Sequence, residues 1–176
     1  MTCAILASGE SMCQSIADSV RGRCLVIVVS DAYKLAPWAD ALVSMDGKWW
    51  RHHKPDFSGR RFSGVSTSHA ERVPQALSGW NSGLLAMRVA VDIFHARRVL
   101  LLGFDMRGTH FFGKHPEPLR NTPVRRFEEF KHQFRDYRPK DVEIFNCTPG
   151  SALTCYATAN VEDMLESVAQ PALHAA

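Results

Sequence analysis

A chain of 176 residues with 45% apolar and 22% charged side chains has enough apolar material to close one hydrophobic core, and this balance excludes a disordered chain. Its net charge of +3 lacks the dense basic stripe of a nucleic-acid module, so nucleic acid is not an expected partner. The chain opens without a signal-peptide pattern and holds no apolar run near the roughly 20 residues that span a bilayer, which predicts a cytoplasmic protein with no membrane partner.

Residues 3–7 are the first apolar run and predict a buried strand that ends in Ala7-Ser8-Gly9-Glu10-Ser11. A helix follows over 11–20, with Met12, Ile16 and Val20 on one face. Strands are predicted over 24–29 and 41–45. Residues 48–79 then break the pattern, being rich in Trp, His, Arg, Ser, Gly and Pro with weak periodicity. This irregular insertion reads either as a cover over a ligand, through Trp49, Trp50, His52, His53, Arg60 and Arg61, or as a peripheral loop with a short hairpin. A helix over 82–96 places Leu84, Met87, Val91 and Phe94 at helical spacing, and a strand follows over 99–103. The helix predicted over 124–137 carries Phe127, Phe130, Phe134 and Tyr137 on one stripe; a strand over 142–146 and a helix over 161–168 complete the series. Nearly continuous apolar strands alternating with helices predict one α/β domain over residues 1–176, doubly wound on a mainly parallel, Rossmann-like sheet. Cys3, Cys13, Cys24, Cys147 and Cys155 form no C-x-x-C pair, so neither a zinc ribbon nor a thioredoxin-type site is expected.

In a parallel sheet, ligands gather at the carboxyl ends of the strands. The first such end offers Ser8, Gly9 and Ser11, where a glycine permits close backbone approach and amides at a helix start can hold a phosphate; Glu10 beside them opposes an anion. The second offers Ser30-Asp31, which suits a ribose or base contact and equally a helix N-cap. Asp46 stands at the third, where a carboxylate can meet a hydroxyl, an amine or a metal. Asn81, Ser82 and Gly83 open the long helix, and Gly103 and Asp105 end the next strand. His110 and His115 lie in the loop beyond and match proton transfer near neutral pH. Their spacing fits no established metal site, so a general base or phosphate contact is expected there and no metal ligand is assigned.

These pieces occur in a recognisable order: a strand into Gly9-Glu10-Ser11, a strand ending in Ser30-Asp31, Asn81-Ser82-Gly83 before a helix, Leu101-Leu102-Gly103-Phe104-Asp105, a histidine-bearing loop, and Asn146-Cys147-Thr148-Pro149-Gly150-Ser151. The series, over about residues 3–155, resembles the MptE-like family, named for 6-hydroxymethylpterin diphosphokinase, and its small phage-type members. It is similar in plan to bacterial sialyltransferases that use a CMP-activated sugar. The resemblance implies nucleotide contacts at Gly9, Ser11, Asp31, Ser82 and Gly83, with either His110 or His115 as general base. Glu10 stands where both groups usually have proline, and Ser30-Asp31 where asparagine is usual.

The leading functional expectation is a nucleotide-binding transferase, with His110, His115 and Asp105 as catalytic candidates and a nucleotide or nucleotide-sugar as partner. The site expected to hold it comprises Ser8, Gly9, Ser11, Asp31, Asp46, Asn81, Ser82, Gly83 and Gly103. Glycosyl transfer leads because of the histidine loop. A diphosphokinase is the alternative and would need Mg²⁺ on Asp46 and Asp105; a third reading is a non-catalytic nucleotide-binding module. Exposed tryptophans would also suit a homo-oligomer.

Overall fold

Each of the five apolar runs forms a strand, as a β-branched or leucine-rich segment does when both its faces are covered. The computed structural model describes residues 1–74 and 80–169, so the end of the predicted insertion, including Gly79, lies outside the described residues. The elements in chain order are β1 (Thr2–Leu6), α1 (Gln14–Ser19), β2 (Leu25–Val29), β3 (Ala41–Ser44), α2 (Gly47–His53), β4 (Arg60–Ser63), β5 (Glu71–Arg72), α3 (Ser82–Arg88), β6 (Arg98–Leu102), α4 (Val124–Asp136), β7 (Glu143–Asn146), β8 (Ala157–Thr158) and α5 (Val161–Ala169). All eight strands join one sheet in the order β5-β4-β3-β2-β1-β6-β7-β8, and every pairing is parallel.

The period-two alternation of a strand divides the core into two layers. Cys3, Ile5, Ile27, Val29, Val43, Val99 and Leu101 face one side, where Leu85 and Met87 of α3 and Phe134 of α4 pack. Ala4, Leu6, Val26, Val28, Leu42, Leu100 and Leu102 face the other, against Ala17 of α1, Trp49 and Trp50 of α2 and Leu165 of α5. Helices thus cover both faces, and the chain is an α/β, doubly wound, Rossmann-like fold.

Several local expectations are corrected. The first helix begins at Gln14 rather than Ser11, because residues 9–12 form a loop in which Met12 N–H donates to the Gly9 carbonyl at 3.1 Å. The helix predicted over 82–96 is α-helical only to Arg88; Val89–Ile93 then widens into a π turn, and His95 leaves it with φ +57°. The stretch expected to be irregular contains α2, β4 and β5, and β4 pairs with β5 in parallel, so no hairpin forms there. Trp49 and Trp50 are core residues of α2, and Trp38 and Trp80 are half-buried, so the exposed tryptophans that suggested self-association are not present. Among the described residues, no helix is long and apolar enough to cross a membrane.

The five cysteines are free thiols in sharply different settings. Cys3 is buried in β1, and burial raises its thiol well above the ordinary value; burial likewise pushes Cys147 to about 11. Cys13 is exposed, and its contact with the Ser15 hydroxyl, together with the backbone of Ile16, lowers its pKa. The thiolate is the nucleophile, so Cys13 reacts at a pH where Cys147 is still fully protonated. In a pH-resolved iodoacetamide titration read by peptide mass spectrometry, Cys13 should label at least about tenfold faster than Cys147 at pH 8. Equal labelling rates would contradict these environments.

Candidate functional site

The sheet order reverses beside β1. Strands β2 to β5 extend to one side, and the chain then returns to lay β6 on the other. The two connections leave in opposite directions at this point, so a crevice opens beyond the carboxyl ends of β1 and β6. A cleft of about 440 Å³ occupies that place, a volume in the range of small-molecule sites.

Its floor is a tightly braced pair of turns. Ala7 N–H donates to the Leu102 carbonyl at 2.8 Å and Gly9 N–H to the Gly103 carbonyl at 3.0 Å. The Asp105 carboxylate, only 6% exposed, accepts from Ser11 N–H at 3.2 Å and from the Ser11 hydroxyl at 2.9 Å. A side chain at Gly9 would place its Cβ 1.9 Å from Asp105 Oδ2, so glycine is required for this approach. Gly103, with φ +74°, leaves no room for a Cβ against Met12 and the Ala7 carbonyl. The β6 turn is held from behind: Thr148 Oγ1 accepts from Phe104 N–H at 3.0 Å, and Ser151 Oγ–H donates to the Phe104 carbonyl at 2.5 Å. The Asn146-to-Ser151 motif therefore acts as a buttress to the site.

The remaining sequence candidates divide by position. Ser8, Gly9, Asp46, Asn81, Ser82, Gly83, Gly103, Asp105, His110 and His115 all line the cleft. Many of their polar atoms already have partners. Ser8 Oγ–H donates to the Val29 carbonyl at 3.0 Å, and Ser82 Oγ accepts from Met45 N–H at 2.9 Å. Asn81 Oδ1 accepts from Leu84 N–H at 2.8 Å and so caps α3, while its amide donates to Gln133 at 2.9 Å. Asp46 caps α2 through Lys48 N–H at 2.7 Å. Ser11 is turned onto Asp105. Glu10 accepts from Thr109 N–H at 2.9 Å, and this contact ties the β1 loop to the β6 loop.

Asp31 is displaced from its expected place. It does not line the cleft; it lies 1% exposed behind the wall, where its carboxylate accepts from Trp49 Nε1–H at 2.7 Å and from Lys34 Nζ at 2.6 Å. Burial raises this carboxyl, but the hydrogen bonds from Lys34 and Trp49 and the nearby His53 outweigh it and hold the pKa below its ordinary value. His53 Nε2 lies 3.6 Å and His115 Nδ1 4.0 Å from the same carboxylate. Asp31, His53 and His115 thus bring one carboxylate oxygen and two imidazole nitrogens within 4.8 Å of one another, a grouping that sequence spacing did not suggest.

The imidazoles form a second continuous feature. His110 stacks on Phe112 at 4.9 Å between centroids and touches His115 at 4.5 Å. Burial lowers the pKa of both, and the neighbouring His115 lowers His110 further, which favours the neutral form of the rings. Lys34 Nζ stands 5.4 Å over the Phe112 ring, which links this stack to the Asp31 cluster.

Arg107 and Arg120 of the wall were not singled out in the sequence. Arg107, Arg120 and Arg126 line the cleft; Arg126 pairs with Glu129, whereas Arg107 and Arg120 form no ion pair among the described residues. They sit in loop or helix positions with no motif around them, and only the path of the loop between β6 and α4 brings them over the crevice. Comparisons with protein-family models, with curated proteins and with solved structures gave no match.

Proposed function

We propose that this chain is a nucleotide-binding transferase that moves a sugar from a nucleotide-activated donor to an acceptor hydroxyl. The observation that carries the reading is the cleft at the switch point, where Arg107 and Arg120, without carboxylate partners among the described residues, share a wall with the imidazole of His110, whose pKa burial lowers. Arginine suits the donor's phosphates by charge and by its fork of N–H donors. In the proposed step His110 takes the acceptor's hydroxyl proton, the acceptor oxygen bonds to the anomeric carbon, and the bond from that carbon to the phosphate oxygen breaks. The departing nucleotide keeps the electron pair, and Arg107 and Arg120 stabilise its charge.

The loop at Gly9 has a changed role in this reading. Ser11 N–H and its hydroxyl are bound to Asp105, so that carboxylate already occupies the position first assigned to a phosphate. The loop shapes the cleft floor, and the phosphates belong to the arginine wall. The same contacts weigh against a diphosphokinase. Asp105 is engaged by Ser11, and one oxygen of Asp46 by the start of α2, which leaves fewer carboxylate oxygens for Mg²⁺.

The test is a thermal-shift screen of nucleotides and nucleotide-sugars on the whole chain. A bound donor at a hundred times its Kd should raise the melting temperature by roughly 5–10 °C, since a ligand selective for the native state stabilises it. Arg107→Ala and Arg120→Ala should each weaken binding about tenfold, as loss of a charge-assisted contact does. His110→Ala should keep the ligand-induced shift and lose turnover by about a hundredfold or more. Absence of any shift at millimolar nucleotide overturns the reading. A shift without turnover in the wild type would leave a nucleotide-binding module and refute the transferase.

A further inference from the structure

We propose that Asp31, His53 and His115 form a binding site for a divalent d-block cation of the Zn²⁺ type, which clamps three distant segments of the chain together. Asp31 follows β2, His53 closes α2, and His115 lies in the loop between β6 and α4. One carboxylate and two imidazoles form a donor set typical of such ions, with further positions left for water.

Two observations point to an ion rather than to a self-sufficient hydrogen-bond cluster. His53 Nε2 is buried and has no hydrogen-bond partner among the described residues, although it faces a carboxylate oxygen 3.6 Å away. A buried polar atom without a partner calls for a missing water or ion. Moreover, neither imidazole reaches hydrogen-bond distance of Asp31: His53 Nε2 lies 3.6 Å from Oδ1 and His115 Nδ1 lies 4.0 Å from Oδ2, both wider than the separation of about 3.3 Å between tetrahedral ligands at zinc. The three ligand atoms lie within 4.8 Å of one another, and an inward shift of the side chains would close them on a cation.

The surroundings also behave as supports. The Trp49 indole N–H, at 2.7 Å from Asp31 Oδ2, fixes the carboxylate as an outer partner of a ligand does. Trp49 and His53 are four residues apart, so one face of α2 carries both the support and a ligand. Asn121 Oδ1 accepts from His115 N–H at 2.8 Å and anchors the loop that presents the third ligand. The competitor is Lys34, whose ammonium holds Asp31 Oδ1 at 2.6 Å, but its side chain is 45% exposed and free to swing into solvent when a cation arrives.

This inference does not depend on the transferase reading, and its readouts are separate from nucleotide binding. Full-length chain, stripped with a chelator and dialysed, is titrated with Co²⁺ under visible absorption and with Zn²⁺ under thermal shift. One equivalent of Co²⁺ should give d–d absorption, and Zn²⁺ at a hundred times its Kd should raise the melting temperature by roughly 5–10 °C. His53→Gln and His115→Gln should remove both signals while remaining folded in the chelator. Asp31→Asn, which retains an acceptor for Trp49, covers the case in which a histidine variant does not fold, and should do the same. Lys34→Met should tighten Zn²⁺ binding by about five- to tenfold, because it removes the competing cation. Wild-type chain with neither signal overturns the proposal. So does an equal response in the wild type and the folded variants, which would place the metal on other side chains.

Discussion

Replacing Gly9 with alanine is expected to cost about 3 kcal/mol and to lower the melting temperature by roughly 6–12 °C. The new methyl would lie 1.9 Å from Asp105 Oδ2 and 2.4 Å from the Gly103 carbonyl oxygen. Neither neighbour is free to retreat. The Asp105 carboxylate is bound by both the amide and the hydroxyl of Ser11, and the Gly103 oxygen accepts the Gly9 amide at 3.0 Å. Relief therefore requires the β1 and β6 loops to separate, which disturbs the cleft floor as well as the fold. Urea unfolding checks the energy, and the nucleotide thermal shift checks the cleft. As a control, Ser8→Ala removes one hydrogen bond to the Val29 carbonyl and should cost only about 1 kcal/mol. A Gly9→Ala chain as stable as the wild type would show that the two loops are not in this contact.

Trp50→Ala should be still more damaging, at about 4 kcal/mol and roughly 8–16 °C in melting temperature. Trp50 is fully buried among the residues between the sheet and α2, and its indole N–H donates to the Ser44 carbonyl at 3.0 Å. Truncation leaves a large cavity under β3 and strands that carbonyl without its partner. Trp50→Phe fills most of the space and loses mainly the hydrogen bond, so it should cost about 2 kcal/mol. Equilibrium unfolding separates the two. A cost below about 1 kcal/mol for Trp50→Ala would mean that α2 is peripheral, as a loose insertion would be.

The core position of α2 was not legible in the sequence, whereas most of the sheet was. Strands β1, β2, β3, β6 and β7 were legible because each holds an apolar run, nearly continuous in the central ones, as burial on both faces favours. The α4 stripe of Phe127, Phe130 and Phe134 was legible for the same kind of reason, a period that matches one helix face. Strands β4, β5 and β8 were not. Arg60–Ser63, Glu71–Arg72 and Ala157–Thr158 are short and carry polar or small residues, and neighbour pairing rather than intrinsic preference makes them strands. The tryptophans of α2 divide in a similar way: the helix buries Trp50 in the core, whereas Trp49, also largely buried, keeps a place on the cleft wall.

Sequence alone determined the fold class, the location of the cleft at the strand ends, and several of the polar residues on its wall. These follow from periodicity and from the geometry of parallel sheets, which are local or general rules. Tertiary structure alone decided what the polar groups do. It gave Asp105 to Ser11 and closed the expected phosphate nest, and it sank Asp31 behind the wall beside His53 and His115. It also brought Arg107 and Arg120 over the cleft. The physical reason is that a hydrogen bond or an ion site depends on distances of a few ångströms between atoms far apart in the chain. Asp105 and Ser11 are 94 residues apart, and no local pattern encodes their contact.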